Sequence, residues 1–232
     1  MSQNGFKLGV VMLATNFPRP LGDIGNPQSH GHPVDFLVAP AATPSSVVCS
    51  HAIHADVVES FVTAAKALVE GGCQAITTSC GFACAIHDEL QAELSVPLVT
   101  SSLNLVPEIA ARYGRKVSLP VITYDSRVLS KYHFGRFWSP GVVLQGIEKG
   151  GELYSVIRED RSELNLERAE NDVLESVARI LNRYPDSKTI LLECTNLPPY
   201  RKAIENRFGI PVYDIFSALE ILLDKPGFRN FG

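Results

Sequence analysis

Two stretches, AITTSCGFACAIHDELQAELSVPLV at 75–99 and TILLECTNLPPYRKAIENRFGIPVY at 189–213, share one plan. Each reads as an apolar strand, a cysteine, a helix and a second strand. Cys80 precedes Pro97 by 17 residues and Cys194 precedes Pro211 by the same 17, with Val96 and Ile210 before the two prolines. Element order, cysteine position and the apolar-Pro pair agree together, which predicts two related half-units. A parallel strand that feeds a helix leaves its last residue at the carboxyl edge of a sheet, where α/β folds bind ligands. Cys80 and Cys194 are therefore expected to face one pocket. The amides of the helices that follow, over 83–94 and 198–208, are expected to draw each thiol pKa below its reference of about 8.5.

Working outward, the run over 6–14 reads as a buried strand, and 55–70 keeps apolar residues at helical spacing until Gly71 and Gly72 end it. Further strands are expected over 73–79, 116–123, 142–147 and 189–193, with a long helix over 164–184. This alternation predicts an α/β fold with parallel sheet. The segment 16–33 is rich in Pro, Gly and Asn and directly follows the first strand, so it reads as a long loop serving as a substrate lid or pocket wall.

The 232 residues are 45% hydrophobic and 20% charged, the balance of an ordinary globular protein. A net charge of -4 without a Lys/Arg cluster argues against nucleic acid or anionic membrane as partner and favours a small molecule. The apolar run over 8–14 is too short for a secretory signal, so a cytoplasmic location is expected. Five cysteines form an odd set, read as free thiols, with Cys49, Cys73 and Cys84 as small buried hydrophobes. A zinc site of Cys73, Cys80 and Cys84 lacks the CxxC pair such sites use. His30, His32, His51 and His54 read as solvated groups, with carboxylate binding as the alternative. Arg19 is either a surface residue or a bidentate clamp for a carboxylate, and Asp214 is expected to cap a helix.

Glu193-Cys194-Thr195-Asn196-Leu197-Pro198 resembles the Gly-Cys-Thr-His-aromatic-Pro motif of glutamate racemases; Cys194 and Thr195 match, while Glu193 and Asn196 depart. Cys80-Gly81-Phe82-Ala83 stands where that group has Cys-Asn-Thr and a small residue, and retains Cys80 and Ala83. On these residues the chain resembles the aspartate/glutamate racemase superfamily, which includes hydantoin racemases, maleate isomerases and arylmalonate decarboxylases. The resemblance implies an α/β fold of two pseudo-symmetric lobes, each a mostly parallel sheet flanked by helices, with the active site in the cleft between them. The first lobe is expected over 1–101 plus 214–232 and the second over 102–213, in a homodimer. Cys80 and Cys194 would be the catalytic acid/base pair. Thr15, Asn16, Gly81, Phe82, Thr123, Ser126, Thr195 and Asn196 would bind substrate, without pyridoxal phosphate or metal. The Asn and Thr absent after Cys80 normally hold an amino acid's polar groups, which points to a substrate less polar than glutamate.

Two opposed thiols suit a cofactor-independent racemase or epimerase acting on a carboxylate such as aspartate or glutamate, or on a hydantoin. One thiolate removes the α-proton and the other thiol protonates the opposite face, each transfer being worth about 100- to 10,000-fold in rate. Three alternatives use the same residues differently. They are a maleate-isomerase-like reaction in which Cys80 adds to a double bond, a non-catalytic two-lobed binding protein, and a redox pair, which needs sulfurs about 2 Å apart.

Overall fold

The computed structural model describes residues 5–149 and 151–231. The apolar run LGVVML forms β1 (Leu8–Leu13), buried at every position, as a strand covered on both faces must be. With β2 (Val34–Ala39), β3 (Ala75–Thr78) and β4 (Leu98–Val99) it makes a parallel sheet in the order β2-β1-β3-β4. A second parallel sheet holds β5 (Leu119–Thr123), β6 (Val142–Gly146), β7 (Ile190–Leu192) and β8 (Val212–Tyr213) in the order β6-β5-β7-β8. The two orders are equivalent, and in each the chain reverses direction across the sheet beside the first strand. That switch point is where the carboxyl ends of strands open a crevice. The repeat is visible bond for bond: Ile76 N donates to Pro97 O at 3.0 Å, and Ile190 N donates to Pro211 O at 3.0 Å.

Helices α1 (Pro44–Val47), α2 (Ala55–Glu70), α3 (His87–Ala92), α4 (Val106–Tyr113), α5 (Lys131–Phe134), α6 (Glu152–Glu159), α7 (Leu166–Arg183), α8 (Arg201–Phe208) and α9 (Ile215–Leu222) flank the sheets. In α2 the buried stripe Val57, Phe61, Ala64, Ala65 and Leu68 repeats at three and four residues. Burying its Phe and Leu contributes about 2 kcal/mol each. The helix stops at Gly71, whose amide bonds Ala67 O, and Gly72 turns the chain at φ +88°, a conformation that favours glycine. In α7, Asn165 caps the first turn by accepting from Arg168 N.

Two elements differ from expectation. The edge strand β2 was not foreseen, because exposed Leu37 and Val38 stand side by side and break the in-out alternation. The helices after the two cysteines begin as 3-10 turns, Gly81–Ile86 and Pro198–Tyr200, before α3 and α8.

Asp214 caps α9, accepting from Ser217 N, and its carboxylate also bonds Arg201 at 3.1 Å and Arg229 at 2.9 Å. Helix α9 then inserts Ile215, Phe216, Ala218 and Leu219, together with Phe228, into the apolar cluster around the first sheet. Residues 228–230 hold the loop over 16–33: Gly31 N donates to Phe228 O and Asn230 N to Ser29 O, both at 2.9 Å. Asp214 is fully buried, so removing it uncaps a helix and takes the carboxylate from Arg229 and from Arg201, which keeps its pair with Glu205. Asp214→Ala is expected to lower the unfolding free energy by about 3 kcal/mol in urea titrations followed by circular dichroism.

Candidate active site

Strand β3 ends one residue before Ser79 and Cys80, and β7 ends one residue before Glu193 and Cys194. The carboxyl edges of the two sheets are joined there. Thr195 Oγ1 donates to Ser79 O at 2.7 Å, while Ser79 Oγ accepts from Leu13 N at 2.9 Å. One hydroxyl therefore ties the Cys194 turn to the Cys80 turn, and another ties the latter to the end of β1. Cys80 and Cys194 both line the resulting cavity, whose wall also includes Phe17, Arg19, Tyr124, Ile157 and Glu193. The space open to water-sized groups inside it is about 30 Å³, room for roughly two waters, and Cys80, Cys194 and Asn196 each keep a small exposed fraction. The wall segments carrying Phe17 and Ile157 are joined by Asp160, which accepts from Asn16 N at 2.7 Å, Asn16 Nδ2 at 2.8 Å and Phe17 N at 2.9 Å.

Both thiols are buried, and this decides their acidity. Burial pushes Cys80 up to about 12, with the Glu193 charge adding to it; amides of Phe82 and Ala83 pull the other way with less effect. Cys194 is raised well above the ordinary thiol range by the same two causes, burial first. The expected lowering by helix amides is thus corrected: desolvation of a thiolate outweighs what a 3-10 turn supplies. Both cysteines rest as thiols at neutral pH and are strong bases once deprotonated.

Glu193 is itself buried, and burial pushes its carboxyl up to about 7. Thr123 Oγ1 donates to its Oε2 at 2.7 Å, while Oε1 has no hydrogen-bond partner. Its carboxylate lies over Gly81, where a Cβ would overlap Oε1 and the Glu193 carbonyl. On the other side, the Cys194 thiol donates to Asn196 Oδ1 at 3.4 Å, and Asn196 Nδ2 donates to Asp23 Oδ2 at 2.6 Å. Asp23 pairs with Arg19 at 2.9 Å; Arg19 also donates to Thr15 Oγ1 at 2.9 Å and lies 4.6 Å from the centre of the Phe17 ring. This network orients the Asn196 amide with its oxygen toward the thiol and places a guanidinium on the cavity wall.

Of the expected site residues, Cys80, Gly81, Cys194, Thr195 and Asn196 meet at the cavity. Five others stand behind or beside it. Thr15 supports Arg19, Asn16 bonds Asp160, and Thr123 bonds Glu193. Phe82 packs edge-on against His133, and Ser126 donates to Glu148 at 2.7 Å. His30 is not a solvated group, being buried on Ile24 O; His32 is half-buried and bonds Pro226 O, and neither lines the cavity. His51 and His54 are exposed. Asp23, Phe17 and Tyr124 have no pattern that marks them in the sequence. Glu193 had one visible sign, a charge ending the apolar run Thr189-Ile190-Leu191-Leu192.

Gly81→Ala is expected to cost about 2 kcal/mol in denaturant titrations, because the new methyl must displace Glu193 from a packed wall. The raised carboxyl of Glu193 makes a second prediction. An acid whose folded pKa exceeds its unfolded value stabilises below the unfolded pKa, and that stability is lost as pH rises through the folded one. The loss between about pH 4.5 and 7 amounts to roughly 3 kcal/mol. Glu193→Gln lacks this dependence, so its melting temperature relative to the parent is expected to climb from pH 5 to pH 8 in scanning calorimetry.

The family described as Asp/Glu/Hydantoin racemase matches residues 28–219. A dimethylsulfoniopropionate lyase of Durusdinium sp. clade D is 28% identical over 95% of this chain and 76% of its own length. Dimethylsulfoniopropionate lyase 3 of Emiliania huxleyi is 29% identical over 95% of this chain and 61% of its own. Both relatives extend beyond the matched region. Allantoin racemase from Pseudomonas fluorescens superposes with a TM-score of 0.62 at 17% identity, over 96% of this chain and 93% of that one, and so shares its fold. With two equivalent parallel sheets and the match over 28–219, the chain belongs to the Asp/Glu/hydantoin racemase family.

Proposed function

We propose that a thiol of the Cys80/Cys194 pair, as thiolate, removes the proton α to the carboxylate of a small substrate, and that a β-substituent then leaves. Dimethylsulfoniopropionate, the compound named for the two lyases, is the substrate type we favour. The observation that carries this reading is the meeting of both cysteines in one buried, largely apolar cavity with a single guanidinium on its wall.

Arg19 suits the carboxylate through the N–H groups that its bonds to Asp23 and Thr15 leave over. The rings of Phe17 and Tyr124 suit a methyl-bearing sulfonium, a soft cation attracted to aromatic faces. In the reaction the Cα–H bond breaks as the S–H bond forms on cysteine. The Cα electron pair becomes the C=C bond of acrylate, and the Cβ–S bond breaks with its pair going to sulfur, releasing neutral dimethyl sulfide. A thiolate and a sulfonium are both discharged, and a cavity of low polarity favours the loss of opposite charges.

Racemisation is the second reading, favoured by the equivalent placement of the two thiols on the two half-units. It shares the first step and differs in the fate of the carbanion, which is protonated from the opposite face. Incubation of the protein with dimethylsulfoniopropionate is expected to release dimethyl sulfide, measured by headspace gas chromatography, with acrylate in the solution NMR. Replacing the thiol that acts as base, by Cys80→Ser or Cys194→Ser, is expected to slow the elimination about 100- to 10,000-fold, and only the racemase reading expects that loss from both variants. Deuterium uptake with inversion on chiral carboxylates or hydantoins in heavy water, without sulfide release, would support the racemase instead. No sulfide from the substrate and no exchange on any of the carboxylates or hydantoins would rule out both readings.

A further inference from the structure

A buried apolar cavity admits a charged molecule only if each of its charges meets an opposite one. We propose that Glu193 selects ligands by charge: its buried carboxylate is the counter-ion for a cationic group that the molecule in the cavity carries beside its carboxylate. The proposal rests on the reading of the cavity as a carboxylate-binding site and deepens it, naming zwitterions as the ligand class and Glu193 as the residue that chooses them.

Three observations support it. Glu193 is 1% exposed and lies on the wall of the cavity that both cysteines line. Thr123 Oγ1 engages one of its carboxylate oxygens, whereas Oε1 is buried with no hydrogen-bond partner. Among the described residues no Lys, Arg or His forms an ion pair with it. A carboxylate kept only for structure would have both oxygens satisfied.

The charges of the site point the same way. Arg19 is the guanidinium on the wall, and Asp23 already balances it at 2.9 Å. Counting Arg19, Asp23 and Glu193, the ionised site carries one negative charge in excess. A plain carboxylate brought to Arg19 adds a second, whereas a zwitterion adds none. The other groups that face Glu193 stay neutral around neutral pH. The thiols of Cys80, Cys84 and Cys194 and the phenol of Tyr124 are all pushed above their ordinary values, burial being the first cause. Burial pushes the Glu193 carboxyl up to about 7, so its charge forms across neutrality. A cation paired with it offsets the charge that, after burial, holds both cavity thiols up. A cationic ligand thereby eases formation of the thiolate beside it.

The test uses three ligands of one shape, a dimethyl head joined through a methylene to a carboxylate, titrated into the full chain by isothermal calorimetry. The head is a sulfonium in dimethylsulfonioacetate, an ammonium in N,N-dimethylglycine and a neutral carbon in isovalerate; none has a leaving group on a β-carbon. Both cationic ligands are expected to bind about tenfold or more tightly than isovalerate at pH 8.5, where Glu193 is ionised, and to lose most of that preference at pH 6. Glu193→Gln is expected to remove the preference at both pH values. Its thiols are expected to react with iodoacetamide no slower than the parent's, because the charge opposing thiolate is gone, and this shows that the cavity is intact. Thr123→Val removes the hydrogen bond that lowers the Glu193 carboxyl, so the preference is expected to appear at higher pH. That variant decides the question if Glu193→Gln does not fold.

Equal affinity for dimethylsulfonioacetate, N,N-dimethylglycine and isovalerate at pH 8.5, an undiminished preference in Glu193→Gln, an unmoved one in Thr123→Val, or no binding of any of the three would each overturn the counter-ion. Tighter binding of N,N-dimethylglycine supports it with an ammonium donating to Oε1 as the natural group, and tighter binding of dimethylsulfonioacetate supports it with a sulfonium. A preference for cations without dimethyl sulfide release from dimethylsulfoniopropionate leaves the counter-ion standing and rejects the proposed elimination. Sulfide release without the preference does the reverse.

Discussion

The Thr195 hydroxyl, donating to the Ser79 carbonyl at 2.7 Å, spans the largest conceptual distance in the molecule, from one sheet's carboxyl edge to the other's. Each sheet separately has the strand order of a half flavodoxin-like unit, and each separately offers a crevice at its switch point. A crevice with one thiol can hold a proton on one side of a ligand only. Joining the edges makes two half-sites into one cavity, and the joint is made by the residue that follows Cys194, bonded to the residue that precedes Cys80. Any displacement between the sheets at this point acts directly on the relation between the two thiols. The position of a small hydroxyl therefore sets the relation between the two thiols.

Two of the departures from the racemase motifs, at positions 81 and 193, meet in space. Glutamate racemases carry a small residue before the second cysteine and a polar side chain after the first, whereas this chain has Glu193 and Gly81. The Glu193 carboxylate fills the volume that a side chain at 81 would occupy. A carboxyl group from the second half-unit thus occupies the space next to Cys80. Burial raises both thiols, and the Glu193 charge adds to it, because a buried negative charge opposes the formation of another nearby.

How much of this was legible in the sequence follows from which forces act locally. The apolar runs that became β1, β3, β5 and β7 and the amphipathic stretches that became α2 and α7 carry their own periodicity, and so does the repeat around Cys80 and Cys194. Strand β2 was hidden because an edge strand need not alternate. The direction of the thiol shifts was misread because a sequence shows the turn after a cysteine but not the depth at which it is buried. Thr15, Asn16, Thr123 and Ser126 are polar residues at strand ends, as a site requires, yet each is engaged by Arg19, Asp160, Glu193 or Glu148. Asp23 lies in a loop without period, and only the fold reveals that its carboxylate reaches Asn196, 173 residues away in the chain.

The loop that brings Phe17 and Arg19 to the cavity is pinned by residues 228–230, through bonds to Ser29 and Gly31. Asn230 Nδ2 also donates to Gln28 O, 202 residues away in the chain. A contact of such sequence separation carries a large loop-closure cost, whereas the neighbouring strands of each sheet pair over shorter stretches. The scaffold and the cavity wall are therefore held by bonds of different reach. Breaking the contact at 228–230 loosens the segment that carries Phe17 and Arg19 while both sheets keep their ladders.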